Sequence, residues 1–196
     1  MQLDELLKRF NQAWQANPVH DYPHLTSKRP AAVLIASQLI DGELQILFTK
    51  RAEHLVHHAG QISFPGGKYE ESDNDIVYTA LREAEEEIGL PADSVSVIGK
   101  LPEFKTISGF EVTPILAHIE TPVDIDTQLF IDQNEVAEVF QVPLSYLMDE
   151  KNLLVQYVSR NGIEAPVYFI PYKDRYIWGA TAGILAMLRA HLFNVS

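Results

Sequence analysis

The stretch from Phe64 to Leu90, FPGGKYEESDNDIVYTALREAEEEIGL, constrains this chain more than any other segment. A Pro-Gly-Gly turn opens it, an acidic linker follows, and a helical pattern over 77–89 closes at Gly89, a good helix stop. Inside the helix Arg82, Glu83, Glu86 and Glu87 stand as R-E-x-x-E-E. At ~100° of rotation per residue the three glutamates share about a third of a turn. Val77, Leu81, Ala84 and Ile88 recur at helical spacing and predict the opposite, buried stripe. Carboxylates crowded on one face repel each other unless a cation sits among them. A solvated acidic face is the ordinary reading of such a run. The Gly66–Gly67 turn shifts the balance. With no side chain in the way, its carbonyl and N–H groups can approach whatever the carboxylates hold. Hard oxygen ligands with room for water suit Mg²⁺ or Mn²⁺.

The remaining composition sets limits. At 196 residues and 46% hydrophobic content, the chain suits one soluble domain over residues 1–196, with 1–30 an N-terminal helix and connecting segment. No apolar run approaches the ~20 residues of a membrane span, and MQLDELLKRF does not read as a secretory signal. Zero cysteines exclude disulfides and suit a reducing, cytoplasmic setting. They also argue, with the hard carboxylates, against a separate zinc site at His54, His57 and His58. A net charge of −12 argues against nucleic acid as partner. A small phosphate ester, bound through local cations and a bridging metal, is compatible with it. The oligomeric state stays open, a homodimer included.

Periodicity predicts a helix over 3–16 with Leu3, Leu6, Leu7, Phe10 and Trp14 on one face, then an irregular connection to residue 30. Strands are expected at 31–40 and 44–49 around the Asp41-Gly42 hairpin signal, at 94–101 and at 112–119. Pro114 suggests that the last of these is an edge or carries a bulge. An acidic irregular stretch spans 120–134, a short strand 139–142, and a helix begins at 143–148. Residues 153–158 and 166–172 read as a hairpin around Asn161-Gly162. The segment 177–193 reads as an amphipathic helix with Ile184, Leu185, Leu188 and Leu192 inward. Together these predict a mixed α/β sheet with helices on its faces.

Gly67 followed by R82-E83-A84-x-E86-E87-x-G89-L90 resembles the signature box of the Nudix hydrolases. That resemblance implies an α/β/α sandwich with a mixed sheet and a loop–helix–loop catalytic box, and metal-dependent hydrolysis of a diphosphate linkage. LFTKRA at 47–52 and HAGQISFPGG at 58–67 are similar to the motif upstream of the box in coenzyme A pyrophosphatases. EVAEVFQVPLSYL at 135–147 and IWGATAGIL at 177–185 are similar to the same subfamily. Two departures stand out. Asp73 occupies the position of a box Glu, with one extra residue before Arg82, and Val56 stands where the upstream motif usually has Arg.

The resemblance implies roles for particular residues. Glu83, Glu86 and Glu87 would bind Mg²⁺ or Mn²⁺, with a backbone carbonyl from Gly66 or Gly67. Arg82 would orient a box carboxylate. Glu83 or Glu135 would act as general base, with Glu138 unranked against Glu135. Arg51 would contact a substrate phosphate, and His57 or His58 would partly replace the missing Arg. Trp178 is expected in the core rather than stacked on an adenine. The expected substrate is coenzyme A or an acyl-coenzyme A; the alternatives are NADH, ADP-ribose or a nucleoside triphosphate, or a non-catalytic binding module of the same fold.

Overall fold

The computed structural model describes residues 1–12, 29–56, 58–160 and 163–193. At its centre an eight-stranded mixed sheet comprises β1 (Arg29–Ile40), β2 (Glu43–Arg51), β3 (Ile62–Ser63), β4 (Gly66–Lys68), β5 (Val95–Lys100), β6 (Phe104–Lys105), β7 (Phe110–Ile119) and β8 (Val136–Pro143). The main path runs β3–β2–β1–β7–β5, with β4 on β1, β6 on β7 and β8 on β2. β1 and β7 run parallel; the other pairs are antiparallel. β1 and β2 form the expected hairpin. Asp41 (φ 51°) and Gly42 (φ 82°) both take the left-handed conformation that a two-residue turn requires.

Each face of the sheet has its own core. On one, Ala80, Ala84 and Ile88 of α2 (Ile76–Ile88) pack with Ala32, Leu34, Leu47 and Ile115. On the other, α1 (Leu3–Phe10), α3 (Leu144–Met148) and α4 (Ala180–Phe193) pack over Ile35, Ile46, Phe48 and Leu116. Strand alternation sends neighbouring residues of β1 and β2 to opposite cores, so both faces must be covered. The expected α/β/α sandwich results.

Several sequence expectations need correcting. α1 ends at Phe10 instead of reaching residue 16; Asn11 caps it, and Trp14 lies outside the described residues. Pro114 sits in an interior strand, between β1 and β5. The position tolerates a missing N–H because β7 changes partner there. β5 pairs as far as Ile115, β6 takes over at Val112, and the Pro114 carbonyl still accepts Leu101 N–H.

The carboxyl-terminal helix begins at Ala180, because Ile177 and Trp178 belong to a strand, β11 (Arg175–Trp178). Nor is it amphipathic. Thr181 through Leu188 are all buried, as are His191 and Leu192, which is the pattern of a helix hydrophobic all round. The expected hairpin is part of a second sheet, ordered β11–β10–β9, with β9 (Leu154–Arg160), β10 (Ile163–Tyr172) and β11 (Arg175–Trp178). Its Asn161-Gly162 turn lies outside the described residues.

Candidate active site

Both ends of α2 are fixed. Asp75 accepts the N–H groups of Val77 and Tyr78, each at 2.8 Å, and Gly89 closes the helix at φ 68°. Between these caps the three glutamates part company. The predicted common face is split: Glu87 turns inward at 5% exposure, and the Glu83 side chain is 16% exposed. Glu86 stays on the rim, its side chain 60% exposed.

Glu87 lies against the glycine turn, where its carboxylate accepts the Gly66 N–H at 3.2 Å. No salt bridge reaches it among the described residues. Burial pushes its carboxyl up to about 8, and the charges of Glu83 and Glu135 push the same way. The Gly66 N–H and the Arg51 charge oppose the shift without cancelling it. Glu83 is also raised, first by burial, against the pull of Arg82.

The turn is glycine for steric reasons. A Cβ on Gly67 would fall 2.4 Å from the Glu83 carboxyl, and one on Gly66 would fall 2.3 Å from the Ala32 carbonyl oxygen. β4 therefore brings bare backbone against two carboxylates through its pairing with Ala32 and Val33 of β1.

Arg82 gathers the acidic loop. It donates to Asp73 through Nε (2.8 Å) and Nη2 (3.2 Å), to Glu86 through Nη1 (2.9 Å) and to the Lys68 carbonyl. Its Nη1 also lies 2.9 Å from Glu83. Asp73 is buried and accepts from Thr79 Oγ1 and the Glu70 N–H as well. The Arg82 guanidinium holds the Asp73 carboxyl well below the usual carboxylate range. Sequence reading treated Asp73 only as a departure. Its position six residues after Gly67 was the available signal.

The two distant acids are separated by strand geometry. Glu138 pairs across from Lys50, on the face of Phe48 and Phe140, and is held by Arg175, whose guanidinium lies 4.7 Å over the Phe140 ring. That is the face away from α2. Glu135 is exposed, and its charge acts on both Glu83 and Glu87. Its carbonyl accepts the Ala52 N–H at 2.8 Å, beside Arg51.

The upstream motif folds back on itself. Arg51 N–H donates to Gln61 and Gly60 N–H to Arg51. Val56 is 91% exposed. His58 Nδ1 lies 2.6 Å from Gln61 Oε1, while His57 lies outside the described residues. Trp178 is not a core residue: it is 44% exposed and stacks on Phe169 at 6.5 Å.

The donors at this site are hard oxygens, one of them a buried carboxylate with no salt bridge among the described residues, and they fit a divalent cation. Among the described residues no three His, Cys, Asp or Glu side chains are gathered as a closed ligand set. Glu83 and Glu86 are drawn toward Arg82, so the turn carbonyls and water would have to complete the coordination.

Comparison with known proteins gives a consistent result. The sequence pattern of the NUDIX domain family matches residues 28–158. The chain is 40% identical over 189 residues to a Yersinia pestis protein described as the uncharacterized Nudix hydrolase NudL, covering 95% of this chain and 92% of that one. The Yersinia pseudotuberculosis protein of the same name is equally similar. Among solved structures, the Nudix hydrolase RenU of M. smegmatis superposes with a TM-score of 0.50 at 24% identity, over 60% of this chain and 71% of that one. A C. elegans Ap4A hydrolase also gives 0.50, at 19% identity, over 60% and 82%.

Proposed function

The chain belongs to the Nudix hydrolase family, and from that premise we propose that it is a coenzyme A pyrophosphatase. It would cleave coenzyme A or an acyl-coenzyme A to (acyl-)4′-phosphopantetheine and adenosine 3′,5′-bisphosphate. The coarser activity is the family's own: hydrolysis of the pyrophosphate linkage in a nucleoside diphosphate derivative, generally with a divalent metal ion. What favours coenzyme A is the flanking sequence. The two halves of the upstream motif, 47–52 and 58–67, are hydrogen-bonded to each other through Arg51, and Ala52 joins them to Glu135.

Glu83, Glu86 and Glu87, with a carbonyl of Gly66 or Gly67, would hold Mg²⁺ or Mn²⁺, which offsets phosphate charge and makes a bound water more acidic. The other roles fall to the chain itself. Glu135 takes the proton of the attacking water, being the distant acid on the α2 side; Glu83 is the alternative within the box. Arg51 binds a substrate phosphate, and Arg82 positions Glu83 and Glu86 while Asp73 fixes its guanidinium. Water adds to one phosphorus, the bridging P–O bond breaks, and the second phosphate leaves with its oxygen. We read residues 1–196 as one domain working in the cytoplasm. No described helix is long and apolar enough to cross a membrane.

A substrate panel tests this reading: coenzyme A, acetyl-coenzyme A, NADH, ADP-ribose and a nucleoside triphosphate, each with Mg²⁺, Mn²⁺ or chelator, with products identified by mass. Metal-dependent release of 4′-phosphopantetheine well above the other turnovers is expected. Preferred turnover of another diphosphate would discard the coenzyme A assignment and keep the box. No turnover at all would favour a binding module.

A further inference from the structure

β9 is the outer strand of the small sheet. It is hydrogen-bonded to β10 on one side and has no strand partner on the other among the described residues. The opposite edge differs, because β11 packs against β3. Both faces of β9 are open. Alternation sends Leu154 (51% exposed) and Val158 (44%) to one face, and Val155 (46%) and Tyr157 (67%) to the other. A strand with one solvated face ordinarily keeps that face polar. An edge strand is ordinarily guarded by a charge, a proline or a bulge. Before its last residue, Arg160, β9 has none of these: residues 152–159, NLLVQYVS, contain no acid, base or proline, and the pairing with β10 is regular.

The sequence around β9 says what would cover it. The chain carries a net charge of −12, so most of its surface repels a second copy. The uncharged stretch 152–159 is a place where two copies meet without opposing carboxylates. Its four apolar side chains and the backbone edge offer on the order of 500 Å² per copy, at the low end for a specific interface. The backbone hydrogen bonds are directional and add register.

We propose that β9 pairs antiparallel with β9 of a second copy, centred on Tyr157, and joins the two small sheets across a two-fold axis. Such a contact is self-complementary and closed, so it stops at a dimer.

Light scattering across a micromolar concentration series tests the proposal. The wild-type chain is expected to reach the mass of two chains. A Val155→Lys/Tyr157→Lys double variant is expected to stay at one, with unchanged far-UV circular dichroism and unchanged hydrolysis per chain. The absence of cysteine supplies a second readout. Tyr157→Cys should form a covalent dimer on mild oxidation, and Thr127→Cys, exposed in the acidic loop, should not. A wild-type mass of one chain throughout would overturn the proposal. So would a dimer that survives the double variant, or a Tyr157→Cys chain that does not crosslink. Should the double variant lose its fold, the cysteine result decides.

Discussion

Glu87 is buried against the glycine turn, accepts the Gly66 N–H and has no salt bridge among the described residues. A buried carboxyl raised to about 8 is largely protonated at neutral pH in the metal-free protein. The stability of that form is fully present below the unfolded value near 4 and is lost as pH rises to the folded value of about 8. In chelator, Glu87→Gln should therefore melt above wild type at pH 8.5, with a smaller difference at pH 5. In a chain of this size, roughly 2–4 °C corresponds to each kcal/mol. Metal should reverse the order at pH 8.5. Binding should also release a proton near pH 7, visible in titration calorimetry as a heat that changes with buffer ionisation enthalpy. Asp73 has the opposite sign. Its lowered carboxyl contributes stability present above the unfolded value near 4 and lost as pH falls through the folded value. Asp73→Asn should flatten the acid limb of a pH–melting curve and lower turnover about 10–100-fold, as loss of an outer partner does.

At the scale of the element, α2 and the turn before it behave as one device. Gly67→Ala should abolish most turnover while leaving the fold intact, because the three atoms nearest the added methyl all belong to the Glu83 carboxyl. Asp75→Ala should do the reverse, costing about 1 kcal/mol of stability through the lost cap and leaving the rate per folded molecule unchanged. Circular dichroism melts beside turnover assays separate the two. This helix was legible in the sequence because its caps, its spacing and its acids all agree. β3, β4 and β6 were not, since two or three residues carry no periodicity. The three glutamates keep the helical spacing predicted for them, but spacing did not show how their depth differs: Arg82 holds Glu86 at the rim, and Glu87 meets the Gly66 N–H inside.

At the scale of the whole molecule, the two distant acids lie in different surroundings. β2 and β8 present Glu138 to the α4 side, where Arg175 neutralises it, while Glu135 remains beside Arg51 on the α2 side. Glu135→Gln should slow turnover by about 10²–10⁴-fold, the range of a general base, and Glu138→Gln by a few-fold at most. Spacing in the sequence left the two unranked; Glu138 lies on β8 and faces away from α2, while Glu135, just before β8, bears electrostatically on Glu83 and Glu87. Pro114 and α4 make the same point: whether a strand is interior, or a helix buried on all sides, depends on neighbours far away in the chain. The layers themselves were readable from the box and the strand pattern, and the second sheet only as a hairpin.

The most direct test is the metal-dependent rate of Glu87→Gln beside wild type, in the diphosphate assay with Mg²⁺ and with chelator. The substitution keeps the size of the side chain and removes the charge buried against Gly66. A loss of more than about 100-fold, beyond what an outer partner costs, together with loss of metal-linked proton release, is predicted. A variant that hydrolyses its substrate at the wild-type rate with the same metal dependence would place the chemistry elsewhere in the molecule.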